Sequence, residues 1–371
     1  MEPKIDNIHE DKGKLTFTLS NVNVSIANAL RRIIIAEIPT YGFKTVPHNE
    51  NEVNIHRNTT RFNNEILKQR ISCLPVHNIH KLPNHEETHK DLLFELDMKN
   101  NSSNIVYVTT EHIKIKNTKT DSYLSDGDRN KIFPPNKQTG DYVLICRLKP
   151  KISDDIPGEE LKFSASISSN KSIENNMFNV SCTCFYNFTP DKIAQNKKWN
   201  EYEKTLKKIK NKDLEKKNWY NHYGLRYYLK DSFDFTIESV GVFTNIELYK
   251  YACRVMIEKL KNCSSKLDDN TFLIEESKST IQNCYDVILK NEDYTLGKVV
   301  EYFMYDNYFE NNNILSYVGF RKNHPHDDYS VLRLGFKKPI ANTGIIKEYI
   351  KKMNLLASEK FSKINELIYS N

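Results

Sequence analysis

Residues 23–39 read NVSIANALRRIIIAEIP, and residues 294–309 read YTLGKVVEYFMYDNYF. In the first run Ile26, Leu30, Ile33 and Ile34 recur at helical spacing and Pro39 stops the pattern, which predicts a helix over about 23–37. In the second, Leu296, Val299, Val300, Phe303 and Met304 fall along one stripe of a helix from Thr295. Each stripe is wider than a helix covering a single sheet requires. Each helix is therefore expected to cover a sheet and to meet another helix as well.

Two longer helices share this character. Thr244 and Glu247 form an S/T-x-x-E capping box that opens a helix with Ile246, Tyr249, Cys253, Met256, Ile257 and Leu260 on one broad face. The last begins at Thr343 and runs to about Tyr369, with Ile346, Ile350, Met353, Ala357, Ile364 and Ile368 at helical spacing. Strands are predicted at 4–10 and 14–20 around the turn Asp11-Lys12-Gly13, and an extended stretch at 41–57. A short helix follows at 63–72. Residues 92–186 are β-rich, with strands at 92–98, 105–115, 142–148, 161–168 and 178–186 and a loop at 117–140. The lysine-rich stretch 191–217 is predicted as one helix carrying Trp199, Tyr202, Leu206 and Ile209. A strand at 232–239 precedes the capped helix. The polar stretch 262–270 has the composition of a linker. Strands at 271–276, 285–290, 315–322 and 331–336 complete the second part, so each half pairs a small sheet with two long helices.

At 371 residues the chain can bury a sizeable core in two or three domains. Its 39% hydrophobic and 27% charged residues are a globular rather than a disordered composition. No run reaches the roughly 20 apolar residues that cross a bilayer, and the acidic first residues, without an apolar segment, carry no expected signal peptide. Seven scattered cysteines argue against a disulfide framework and for a reducing compartment. A net charge of +6 is compatible with a nucleic-acid-handling assembly without requiring direct contact.

The run at 23–40, NVSIANALRRIIIAEIPT, resembles the first-helix motif of the alpha-like RNA polymerase subunits: the bacterial alpha amino-terminal domain, the archaeal D polypeptide and the third-largest subunit of RNA polymerase II. NNEILKQRISCLPV (63–76), PGEELKFSASISS (157–169) and DFTIESVGVFTNIELYKYACRVMIEKL (234–260) resemble later segments of the same family, in the same order. Beyond about 264, YTLGKVVEYFM and SYVGFRKNHPHDDYSVLRL (316–334) resemble the partner family, the archaeal L polypeptide or the eleventh subunit of polymerase II. Departures accompany the likeness. The stretch 77–112 has no cysteine where many D-like proteins carry a metal cluster, SNKSIENNMFN (169–179) replaces a Gly and His-Ala-Lys-Trp segment, Tyr294 stands for His, and 190–230 is enlarged.

The resemblance implies an α+β fold in three parts. These are a D-like dimerisation domain at 1–50 and 225–262, a β-rich insert domain at 51–224, and an L-like domain at 264–371. The paired long helices would form an intramolecular pseudo-dimer through Ile26, Ile33, Tyr249, Cys253, Met256, Leu296, Val299, Val300, Phe303, Ile346, Ile350 and Met353. It implies a non-catalytic assembly subunit of a DNA-dependent RNA polymerase. The implied partners are the largest and second-largest subunits and small zinc-containing subunits like the tenth and twelfth. DNA and RNA would be reached only indirectly, with no membrane and no cofactor. Asn28, Leu30, Arg31, Arg32, Glu37, Pro39 and Arg70 are the expected partner contacts. Arg31 and Arg32 point about 100° apart on a helix, so they serve different surfaces; an internal pair with Glu37 is the alternative. A joined pair and an AT-rich residue bias would suit a large DNA virus, in a cytoplasmic factory or virion; otherwise the nucleus.

Other constellations carry competing readings. His77, His80, His85 and His89 could serve a metal-dependent hydrolase, but Pro83 and the lack of cysteine favour a polar loop. Cys182 and Cys184, two apart in a strand, are expected to share a face as small buried hydrophobes. The lysines of 192–217 with Trp199 and Trp219 could make a stand-alone nucleic-acid-binding protein, against a solvated helix diluted by Glu201, Glu203, Asp213 and Glu215. His324-Pro325 reads as a rigid strand end against the helix pair. No phosphate-binding glycine loop, Asp-x-Asp metal run or nucleophile elbow is present in the sequence.

Overall fold

The computed structural model describes residues 2–81, 85–153, 155–206 and 211–368. Pro83, Ile209, Tyr369 and the side chain of His85 lie outside the described residues. The chain divides into two compact units: Met1–Ile38 with Ser181–Ser239 and Thr244–Asn371, and Pro39–Val180 with Val240–Phe243.

The first unit opens with β1 (Lys4–Asp11) and β2 (Lys14–Ser20), then α1 (Val24–Ala36). It resumes with β3 (Ser181–Pro190), α2 (Lys192–Thr205), α3 (Lys212–Asn221), β4 (Tyr228–Ser239) and α4 (Asn245–Asp268). The second half follows as β5 (Leu273–Glu276), β6 (Cys284–Lys290), α5 (Tyr294–Met304), β7 (Leu315–Arg321), β8 (Tyr329–Phe336) and α6 (Gly344–Leu367). Two antiparallel four-stranded sheets result, in the orders β1-β2-β4-β3 and β5-β6-β8-β7. Leu15, Phe17 and Leu19 alternate inward on β2, as the two-residue period of a strand dictates. Phe17 stacks on Phe235 of β4 at 5.1 Å between ring centroids.

Several boundaries differ from the sequence reading. The insert expected at 51–224 extends only to Val180, because β3 pairs with β4 in the first sheet and carries 181–239 with it. The lysine-rich helix is two helices, α2 and α3, the second opened by the Asn211 side chain accepting from Leu214 N–H. The supposed linker at 262–270 is mostly helix. Cys263 and Leu267 continue the buried stripe of α4 beyond Leu260, so the link to β5 is only a few residues. Helix α5 runs on into π-helical turns, Tyr305–Asn311. Cys182 is exposed while Cys184 is buried, since a register shift between Ser181 and Thr183 breaks the alternation.

Gly297 ties the two motifs of the second half together. A Cβ there would fall 2.0 Å from the Phe320 ring, so only glycine lets Phe320 of β7 lie against α5. His324, Pro325 and His326 form an exposed turn between β7 and β8 rather than a strand end packed on helices.

The second unit is built on a five-stranded antiparallel sheet ordered Val53–Asn58, Glu160–Ala165, Leu92–Lys99, Lys114–Asn117, Ser122–Tyr123. Phe43, Phe94 and Phe133 pack edge and face in its core. The strand expected at 105–115 is broken: Val106–Thr109 pairs with Leu144–Leu148, and a turn at Thr110–His112 hands the chain to the other sheet. The expected loop at 117–140 contains a helix, Asp126–Ile132, capped by Ser125. At Gly158 a Cβ would meet the Asn100 carbonyl oxygen at 1.8 Å, which accounts for the Pro-Gly turn. No helix among the described residues is long and apolar enough to cross a membrane.

Candidate pairing interface

Within the first unit, α1 packs on α4 and on α5, and α6 packs on α4 and on α5. Two helices from each half thus close a ring of contacts. Every residue expected in the pairing is buried: Ile26 and Ile33 on α1, Tyr249, Cys253 and Met256 on α4, Leu296, Val299, Val300 and Phe303 on α5, and Ile346, Ile350 and Met353 on α6. The exposure of Phe303, at 9%, is the largest in this set. The Tyr249 hydroxyl donates to the Ile364 carbonyl at 2.8 Å, and Asn354 donates to Ser264 at 3.0 Å, so α4 and α6 are joined by polar as well as apolar contact. Burial pushes the Cys253 thiol far up and the Cys263 thiol up to about 12, which makes both inert packing groups.

A polar lock crosses the same interface. Arg32 Nε donates to the Thr295 hydroxyl at 2.9 Å, and its terminal nitrogen reaches Asp293 at 2.6 Å. Asp293 is also the N-cap of α5, accepting from the Thr295 N–H at 2.8 Å. Lys259 of α4 lies between Glu37 at 2.6 Å and Glu292 at 3.3 Å, and Lys266 reaches Glu292 at 3.1 Å. Glu37 and Glu292 are 5% and 8% exposed, so these are desolvated charges held by partners. Burial pushes the Asp293 carboxyl up, but the Thr295 hydrogen bonds and the Arg32 and Lys259 charges outweigh it and hold the group below its ordinary value. For Lys259 burial likewise opposes the charge, and Glu292 and Glu37 override it, so its ammonium is held above the ordinary value.

The expected partner residues have these places in the structure. Leu30 is wholly buried, Glu37 pairs with Lys259, and Arg32 is spent on Asp293 and Thr295. Arg70, in the second unit, donates to the carbonyls of Ile145 and Leu144 and lies over the Phe62 ring. Arg31 diverges from Arg32 as the helical angle requires and donates twice to Asn28 Oδ1, at 3.0 and 2.9 Å. Asn28 and Arg31 are half-buried, and Pro39 is exposed. The sequence reading missed Lys259, Lys266, Glu292 and Asp293. The one available signal was an aspartate directly before the α5 stripe, an N-cap signature.

The remaining constellations fall elsewhere. The His80 ring lies 4.7 Å from Phe243, and the His89 ring 4.9 Å from Tyr41. Burial pushes the His77 imidazole below its ordinary value. No group of three or more His, Cys, Asp or Glu side chains among the described residues is placed to hold a metal ion. Trp199 and Trp219 are buried against each other at 5.7 Å, as the core of the α2–α3 extension.

Comparison with known proteins places most of the chain in one family. The model of the RNA polymerase Rpb3/Rpb11 dimerisation domain matches residues 16–260. A subunit of DNA-directed RNA polymerases I and III from Dictyostelium discoideum is 26% identical over 296 residues, covering 69% of this chain and 79% of that protein. Its human counterpart is 25% identical over 211 residues, 51% of this chain and 55% of that protein. The RNA polymerase subunit Rpo3 of Pyrococcus horikoshii is 25% identical over 211 residues, 57% of this chain and 69% of that one. The chain thus spans about four-fifths of the first relative and a little over half of the human one.

Proposed function

This chain belongs to the RNA polymerase Rpb3/Rpb11 dimerisation-domain family and is an alpha-like RNA polymerase subunit; from that premise we propose that it carries both members of the family's pair in one polypeptide. Its role is that of a non-catalytic scaffold on which the largest and second-largest polymerase subunits assemble, with small zinc-containing subunits as further partners. The observation that supports this reading is the closed ring of α1, α4, α5 and α6, with two helices from each half and a desolvated ion-pair lock across them. Joining the halves makes their association first-order, independent of the concentration of a separate partner chain. Eukaryotic relatives support the nucleus as its compartment.

The contact surface we propose on the first helix is the part of it that faces solvent. The half-buried Arg31–Asn28 pair lies there, with Val24 and Ile35 exposed on the same helix at 39% and 36%. Affinity purification of the tagged chain from its native source, with mass spectrometry, tests the proposal. Two chains of large-subunit size should co-purify, and the joint Arg31→Glu/Ile35→Glu variant should lose them while staying folded. Recovery of the native chain without polymerase subunits would refute the scaffold role.

A further inference from the structure

Residues 191–230 hold twelve Lys and Arg against five Asp and Glu, a net charge of +7, whereas the whole chain carries +6. The rest of the molecule is therefore close to neutral, and its positive charge is concentrated in one extension between β3 and β4. That extension is a built module. Trp199 and Trp219, the only two tryptophans of the chain, pack against each other and against Tyr202, Tyr220 and Tyr227. Gln195, itself buried, donates to the Gly224 carbonyl at 2.9 Å. Most of its acids are engaged locally. Asp191 caps α2, Glu201 pairs with Lys198, Glu203 with Lys212, and Glu215 accepts from the Tyr202 hydroxyl. Lys192, Lys197, Lys204, Lys216, Lys217 and Arg226 are exposed.

On this framework sits a cleft of about 320 Å³ whose walls are Tyr202, Trp219, Tyr223 and Tyr227 and whose rim carries Arg226, Thr205 and the Lys198–Glu201 ion pair. Tyr223 is 56% exposed, and the Arg226 guanidinium lies 5.5 Å from its ring centroid. An exposed aromatic face edged by a guanidinium, on a module of net positive charge, matches a base beside its phosphate. An acidic peptide would use the charge but would have no need of the ring faces. We propose that the 191–230 module binds single-stranded nucleic acid directly, bases stacking on Tyr223 in the cleft and phosphates meeting the surrounding lysines and Arg226. This departs from the expectation that nucleic acid is reached only through the assembly, and it stands independently of the scaffold role.

The test is fluorescence anisotropy of a labelled short oligothymidylate with the purified full chain. Binding is expected at low salt and should weaken steeply as salt rises, because lysines release counterions from phosphates. Tyr223→Ala should lower affinity about tenfold through lost stacking. Lys216→Glu/Lys217→Glu should weaken binding and flatten the salt dependence. All three positions are exposed, and circular dichroism of each variant checks that it folds. Absence of binding at low salt, or affinity unchanged in both Tyr223→Ala and Arg226→Ala, would overturn the proposal. So would displacement by polyglutamate as readily as by unlabelled oligothymidylate, which would assign the module to an acidic protein.

Discussion

The two halves of the first unit share a plan and differ in how they are held. Each has a four-stranded antiparallel sheet, a short helix between strands, and a closing helix of 24 residues, α4 in the first and α6 in the second. Their charges are not equivalent. Arg32, Lys259 and Lys266 come from the first half, whereas Glu292 and Asp293 come from the turn before α5 in the second. Apolar faces built on one plan could pair like with like; a cationic edge facing an anionic turn favours the unlike pair. The closing helices differ as well. Helix α4 begins with a reciprocal box, Thr244 and Glu247 each bonding the other's backbone N–H, whereas Thr343 at the start of α6 makes no capping hydrogen bond. Helix α6 therefore depends more on packing against α4 than on its own N-terminal cap.

The sharpest way to break this arrangement is Lys259→Met. It would leave Glu37 and Glu292 buried without their shared cation, a loss expected at about 3–5 kcal/mol in urea unfolding of the whole chain. Next is Gly297→Ala, which forces Phe320 off α5 and should cost about 1–3 kcal/mol by overpacking; Phe320→Leu in the same chain should recover part of it. The contrast between closing helices is sharpened by Thr244→Ala, expected to cost about 1 kcal/mol, against Thr343→Ala, expected to cost little. Equal losses in thermal melts would remove the distinction. The smallest effect is that of pH. Asp293 is held below its ordinary value of 3.8 in the folded chain, so its contribution is present above that value and is lost as pH falls through the lower folded value. Lys259 is held above 10.5, so its contribution is complete below that pH and is lost as pH rises through the folded value. Melting temperature should thus fall at both extremes, and Asp293→Asn should flatten only the acid limb.

Apolar periodicity made the helices legible. Ile26 to Ile34, Leu296 to Met304 and Ile346 to Ile364 all occupy buried faces at the spacing the sequence shows. The lock was not legible, because a helical angle tells where Arg32 points but not that Asp293 stands opposite. Glu292 and Asp293, read alone, look like a solvated turn. Local hydrogen bonding hid other features. Asn211 splits the lysine-rich stretch, the Thr109–His112 cap breaks an otherwise continuous strand pattern, and a bulge at Cys182 reverses a face. In each case one side chain or one register shift overrode a pattern that was sound on either side of it. At 262–270 the failure was compositional: polar residues masked Cys263 and Leu267, which keep α4 in contact with the second half.

Severing the chain between its halves shows whether they pair without a covalent link. Residues 1–269 and 270–371 would be co-expressed as two polypeptides, with the tag on the first, and the complex analysed by native mass spectrometry. A one-to-one complex is expected near neutral pH, and Arg32→Glu/Lys259→Glu should disrupt it. Recovery of the two pieces as separate, folded, unassociated chains would contradict the pairing.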